Sequence, residues 1–418
     1  MPVRCWPGAA VDVTSLAQPL LLEPSGKVVK NRIMKAAMAE DLATWSAKNI
    51  EERGIPTKET VELYRRFGII ATGNIAIEYD MMNLVGEMII TLADVPTSED
   101  PRFEAFRALA AAAKADGSLI LGEVAHPGGQ LFARIRKDTI APSAIQIPPR
   151  ELYGSYATPR EATQSDIDHV VDSFAHAATN LAAAGFDGVA LHGGHGYLLA
   201  QFLSPRFNKR TNGYGGPLAN RIRIVLEIAG ATRRAVPKYF VMALKLNSVE
   251  FQEGGMTPDQ AREMCAAFSE AGFDFIELRG GNWEDFGMTW DRESTKRLEA
   301  FFLEFADAVV PGLGPAPRKT KAFVTGGLRW AAGVVDALGT VDGVGLARPA
   351  AQGPRIAQDI LEGRISSAIR PVSGLEDLGR VSRLAGTQLT QVARGEEPFD
   401  ASDEEQAKGY LADSDLWY

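Results

Sequence analysis

Eight short β-rich runs alternate with amphipathic segments along this chain, and that alternation restricts the fold more than any other feature. The runs cover residues 32–37, 69–77, 119–125, 188–192, 240–246, 273–278, 322–325 and 343–346. Between them, residues 60–67, 102–115, 167–184, 218–235, 258–271, 295–309 and 329–338 place apolar side chains at i, i+3 and i+4, the spacing of one helix face. Thr163-Gln164-Ser165-Asp166 has capping-box spacing, and Thr257-Pro258 sets an N-cap before a first-turn proline. Eight strand–helix repeats predict an α/β fold, a (β/α)8 TIM barrel. A doubly wound sheet is the alternative, but no Gly-x-Gly-x-x-Gly opens a helix after the first strand. Residues 1–418 then form a single domain.

Two stretches depart from the repeat. Residues 127–163, after the third strand, are proline-rich and lack helical period, which predicts a lid or small subdomain over the barrel mouth. From Gly395 to residue 418 the chain is acidic and is expected either to wander or to dock on a partner subunit of a homo-oligomer.

Composition then removes whole classes of function. No window has the ~18 uninterrupted apolar residues of a membrane span, and Met1-Pro2-Val3-Arg4-Cys5-Trp6-Pro7 has no apolar signal core. Cys5 and Cys265 are the only cysteines, too few for a disulfide framework, a four-thiolate zinc site or an all-cysteine iron–sulfur cluster. A cytoplasmic, reducing compartment is expected. A net charge of −9 with no basic stripe argues against nucleic-acid binding.

Chemistry concentrates at strand ends. Ala184-Gly185-Phe186-Asp187-Gly188-Val189-Ala190 reads as a turn and a short strand that empties into Leu191-His192-Gly193-Gly194-His195-Gly196-Tyr197. Two imidazoles there could share one substrate oxygen while a phenol supplies a proton. A metal pair or two structural histidines would leave the same pattern. Thr325-Gly326-Gly327 and Gly345-Leu346-Ala347-Arg348 close the last two strands, where barrels commonly hold a phosphate. Lys245 projects from an apolar strand, a costly position unless it meets an anion or an electron-rich group.

Several motifs resemble the old yellow enzyme family of FMN-dependent oxidoreductases, over nearly the whole length. Lys30-Asn31-Arg32-Ile33-Met34-Lys35-Ala36-Ala37-Met38 is similar to its first strand, Ala71-Thr72-Gly73-Asn74 to its second and His126-Pro127-Gly128-Gly129-Gln130 to the end of its third. The most specific block runs from Phe186-Asp187-Gly188-Val189 through Gln201-Phe202-Leu203-Ser204-Pro205 to Asn208-Lys209-Arg210-Thr211 and Tyr214-Gly215-Gly216. Lys245-Leu246-Asn247-Ser248, Thr325-Gly326-Gly327 and Leu346-Ala347-Arg348-Pro349 follow in order.

The resemblance implies FMN at the barrel mouth and NADH or NADPH as reductant, with ping-pong turnover. It places the phosphate on Gly326, Gly327 and Arg348, beside Gly345 and Ala347, and Lys245 near flavin N1 and O2. Ala37, Met38 and Gly73 border the isoalloxazine. It implies that His192 and His195 hold the oxygen of an α,β-unsaturated carbonyl or nitro compound and that Tyr197 protonates Cα. Three departures bear on the cofactor. Glu123 stands where the family usually has Gln, Ala39 where many members have Thr or Cys, and Ala347 at a usual Gly. Glu123 could accept from flavin N3–H but not donate to O2. These changes keep open a flavoprotein that no longer turns over with nicotinamide: an isomerase, an oxidase or a binding module. A flavin-free phosphate-binding barrel is a further alternative.

Overall fold

Each predicted run is a strand, and the strands close into a ring. The computed structural model describes residues 11–67, 70–82, 85–149, 154–281, 301–372 and 378–414. Its barrel strands are β1 (Ile33–Lys35), β2 (Ile70–Ala76), β3 (Ile120–Ala125), β4 (Gly188–Gly193), β5 (Val241–Val249), β6 (Phe275–Gly280), β7 (Lys321–Thr325) and β8 (Gly343–Leu346). All pair in parallel with their sequence neighbours; β8 returns to β1 at Gly345↔Met34, and Lys35↔Ile70 joins β1 to β2. The short strand Met88–Ile89 adds outside β2.

Helices cover the outside. α1 (Lys58–Arg66), α3 (Gln164–Ala183) and α5 (Pro258–Glu270) all begin with capping boxes, from Thr57, Thr163 and Thr257 respectively. Such an N-cap stabilises a helix by about 1 kcal/mol. α2 (Pro101–Ala113), α6 (Phe301–Val309) and α7 (Ala331–Ala337) also match predicted segments. Residues 218–235, predicted as one helix, are two: Leu218–Arg221 and α4 (Arg223–Ala235), meeting at Ile222. Cys5 and the rest of residues 1–10, Ile69 and residues 295–300 of the predicted runs lie outside the described residues.

Residues 127–163 contain Asp138–Ala141 paired in parallel with Thr158–Glu161. Phe132, Ile147, Tyr156 and Phe207 form their own apolar cluster there. The acidic tail does not wander through its described part. α9 (Glu404–Ser414) follows α8 (Leu378–Ala393), and Ala401 and Ala407 bury against Leu384 of the same chain. Alanines and aromatics among the acids supplied an apolar face that net charge concealed.

The barrel interior has an apolar floor and a polar ceiling. An antiparallel hairpin, Leu20–Leu22 with Lys27–Val29, places Leu20, Leu22 and Val29 against Met34, Leu121, Val241, Phe275 and Phe323. Each fully buried leucine there contributes roughly 1.5–3 kcal/mol. Side chains alternate across a strand, so the residue two positions further on faces the same interior. Leu121 is followed in this way by Glu123, Ala190 by His192, Ala243 by Lys245, Phe275 by Glu277 and Phe323 by Thr325. A strict period of two thus converts the floor into a ring of polar groups at the C-terminal mouth.

Candidate active site

β4 delivers His192 to that mouth and then turns sharply. His195, at φ 57°, adopts the left-handed backbone that non-glycine residues rarely take. Gln130 Nε2 holds the turn by donating to the His195 carbonyl at 2.6 Å, and the His195 N–H reaches Asn247 Oδ1 at 3.4 Å. Backbone strain of this kind persists where surrounding contacts over-determine it.

The turn gathers all three predicted side chains. His192 Nε2 and His195 Nδ1 are 2.9 Å apart, and Tyr197 stacks on His192 with ring centroids separated by 4.5 Å. Burial first, then the charges of Lys245 and Arg279, hold His192 well below the ordinary histidine range, so its ring is neutral. The hydrogen bond between the rings leaves neutral His192 two tautomers: Nε2–H donating to His195, or Nδ1–H with Nε2 accepting. Asn74 Nδ2 donates to the Tyr197 oxygen at 3.3 Å and to Glu87 Oε1 at 2.9 Å.

A buried charge cluster lies below. Lys245 Nζ is 2.6 Å from Glu123 and 3.7 Å from Glu277, and Glu123 Oε1 is 3.6 Å from His192 Nε2. Burial raises Glu123 to about 7 against the pull of Lys245. Burial alone would lower Lys245, but Glu123 and Glu277 hold it above its ordinary value. Lys245 therefore keeps its proton at neutral pH. Arg279 is also buried, and its Nε has no hydrogen-bond partner.

The chain after β1 is fixed from behind. Ala37, Met38 and Ala39 are partly exposed between buried Ala36 and buried Glu40. Glu40 accepts the Gly73 N–H at 2.6 Å and a short hydrogen bond from the Tyr64 hydroxyl. The β2–β3 register shifts between Ala71 and Asn74, beside these contacts. A Cβ at Gly73 would meet Glu40 Oε2 at 2.2 Å and the Met38 carbonyl at 2.4 Å, so only glycine fits.

At the opposite side Gly326 and Gly327 follow β7 with φ of 126° and 80°. Gly345 on β8 has room only for hydrogen, because a Cβ would lie 1.9 Å from Thr325 Oγ1. Ala347 precedes the short helix Arg348–Gln352. Arg348 is lowered to about 10, by burial and then by the like charge of Arg329. Two neighbouring guanidiniums beside glycine backbone make a favourable place for a phosphate dianion.

Buried atoms without hydrogen-bond partners ring the mouth: Thr325 Oγ1, His192 Nδ1, Asn247 Nδ2, Glu277 Oε1 and Arg279 Nε. Protein groups of this kind are normally satisfied. Together with the two guanidiniums beside the glycine turns they fit FMN, whose phosphate is anionic and whose ring and ribityl chain carry both donors and acceptors. The sequence reading missed Arg279, Glu277 and Glu87, and assigned no role to Asn74. Strand period would have found the first two, each in phase with Phe275. Glu87 arrives on a segment beside β2 and has no local signal. Among the described residues no group of three or more His, Cys, Asp or Glu is placed to hold a metal ion.

A family model, NADH:flavin oxidoreductase / NADH oxidase family, matches residues 15–282. The NADH-dependent flavin oxidoreductase nadA of Aspergillus parasiticus is 40% identical over 98% of this chain and 93% of its own. Among solved structures, a 2-naphthoyl-CoA reductase complex superposes with TM-score 0.74 at 21% identity, covering 95% of this chain and 58% of that longer one. An old yellow enzyme homologue from Zymomonas mobilis superposes with TM-score 0.68 at 21% identity, covering 88% of this chain and 98% of its own.

Proposed function

This chain belongs to the NADH:flavin oxidoreductase / NADH oxidase family, and on that premise we propose that it reduces activated C=C bonds of α,β-unsaturated carbonyl or nitro compounds. It is an FMN-dependent oxidoreductase that uses NADH or NADPH. When bound, FMN supplies the electron pair that the nicotinamide delivers and the substrate takes up.

The observation that carries the proposal is the stacked group of His192, His195 and Tyr197 at the end of β4. His192 and His195 bind the substrate oxygen. One ring N–H is spent on the hydrogen bond between the rings, so the oxygen takes the place of that bond as it enters. Both imidazoles then donate to it and stabilise the charge it gains as the double bond is reduced. Tyr197 delivers its phenolic proton to Cα, and Asn74 stabilises the phenolate left behind. Ala37, Met38 and Gly73 border the flavin ring, while Gly326, Gly327, Gly345, Ala347 and Arg348 hold its phosphate. The described part of residues 127–163 is the lid that keeps water from this mouth.

Steady-state reduction of a panel of cyclic enones, maleimides and nitroalkenes tests the proposal. We expect NAD(P)H consumption to depend on the acceptor, with saturated product formed. NAD(P)H oxidation by O2 alone, indifferent to every acceptor, would overturn it.

A further inference from the structure

Toward the mouth, the described inner wall brings Glu123 and Glu277 together with Lys245 and Arg279, and these two cations are not equivalent. Lys245 is enclosed by Glu123 and Glu277. Arg279 is two residues beyond Glu277 on β6, so it projects from the same face one layer nearer the mouth. Asn247 holds the matching place on β5, in register with Arg279. Both are buried, and each keeps a buried nitrogen with no hydrogen-bond partner, Nε of Arg279 and Nδ2 of Asn247. Arg279 Nη2 donates to the adjacent Gly280 carbonyl at 3.3 Å. A Cβ on Gly194 would lie 3.2 Å from Asn247 Oδ1 and 3.4 Å from Arg279 Cδ, so this layer adjoins the histidine turn. Glu123 attracts the Arg279 charge while Arg348 repels it. Arg279 thus lies within electrostatic reach of both the central carboxylates and the phosphate cradle.

We propose that Arg279, with the Asn247 amide beside it, is the cation that faces the N1–C2=O edge of FMN, and that Lys245 instead holds Glu123 in place. The proposal rests on the FMN-dependent reading above. Reduction adds negative charge to that flavin edge. A guanidinium with an unpaired N–H in a dry interior stabilises such charge strongly. A lysine closely paired with a carboxylate presents a dipole whose field falls off faster. Burial lowers Arg279 to about 9, so it still carries its charge at neutral pH.

Spectroelectrochemical titration of the FMN-loaded protein tests this without reference to any enone. Arg279→Leu is expected to weaken the preference for reduced over oxidised FMN at least tenfold, a fall in potential of about 30 mV for a two-electron couple. Arg279→Lys restores most of it, and Lys245→Met lowers the potential less than Arg279→Leu does. Oxidised-FMN affinity and thermal melting of each variant separate this from misfolding. If Arg279→Leu does not fold, the Lys and Gln variants carry the same comparison. An unchanged potential in the Arg279 variants, with a fall in Lys245→Met, would return the role to Lys245. An unchanged potential with a raised KM for acidic acceptors would assign Arg279 to substrate. Failure of the wild type to bind FMN would sink the cofactor reading instead.

Discussion

The side-chain amide of Asn74 donates to the phenolic oxygen of Tyr197 at 3.3 Å across 123 residues of sequence. Glu87 orients that amide from its other side at 2.9 Å. A donor aimed at the phenol oxygen stabilises the phenolate formed once the proton has left. Net hydrogen-bond energies of ~0.5–1.5 kcal/mol predict that Asn74→Leu slows enone reduction by roughly 2–10-fold. Quinones, whose reduction needs no proton at carbon, should be spared. Equal slowing of both acceptor classes would count against the role.

Tyr197→Phe probes the proton itself. Loss of a general acid costs ~10²–10⁴-fold. The expected result is intact flavin bleaching by NAD(P)H in stopped flow, with the second half-reaction slowed by that factor on enones. Uniform loss in both halves would make the tyrosine structural.

For the histidine pair, His192→Ala and His195→Ala should each remove roughly 2.7–4 kcal/mol of transition-state stabilisation, as loss of one oxyanion donor does. The first half-reaction and FMN binding should be much less affected. Enone kcat/KM for the single and double variants checks this. A double variant no slower than wild type ends the assignment.

Glu123 gives a pH signature. Its carboxyl is raised to about 7 by burial, from an unfolded value near 4.5. A raised carboxyl contributes stability that is fully present below its unfolded pKa and is lost as pH climbs through the folded one. Glutamine does not titrate. The apoprotein should therefore lose stability relative to Glu123→Gln between about pH 4.5 and 7, by a few kcal/mol at most, with parallel curves above. Thermal melts at fixed ionic strength measure it; a constant offset across the window would refute it. In the loaded protein the same substitution removes negative charge and should raise the FMN potential in a photoreduction titration.

Gly73→Ala tests the support behind the first strand. Its methyl would meet Glu40 and the Met38 carbonyl. Overpacking of this kind costs typically ~1–3 kcal/mol. The apoprotein should melt lower, and FMN should bind more weakly because Met38 is displaced. Unchanged FMN affinity would separate Met38 from the flavin.

The barrel was legible because its signal is periodic: apolar runs, helical spacing and capping residues all lie within a few positions of one another. The histidine turn was legible for the same reason, since β4 and the loop after it are continuous in sequence. Pairings between distant segments were not. Glu40 meets Gly73 and Tyr64, and Lys245 meets Glu123, only once the ring has closed. Lys245 read as a cation seeking an anion, which it is, but the anion is Glu123 of its own chain. Where β2 and β3 shift register between Ala71 and Asn74, strand alternation gave no warning that Asn74 would reach Tyr197.

The hairpin floor also has a bearing on the order in which this molecule can be completed. Ser25 at the hairpin tip donates its backbone N–H to Asp274, 249 residues later, and Leu20 and Leu22 meet Phe275 and Phe323. During synthesis the hairpin emerges before the strands it seals, and the surface it covers is completed only when Phe323 of β7 has been added. Its leucines stay exposed for that interval. With a chain elongating at about 5–20 residues per second, the delay is on the order of tens of seconds, a period in which a nascent chain is open to chaperones and to wrong partners.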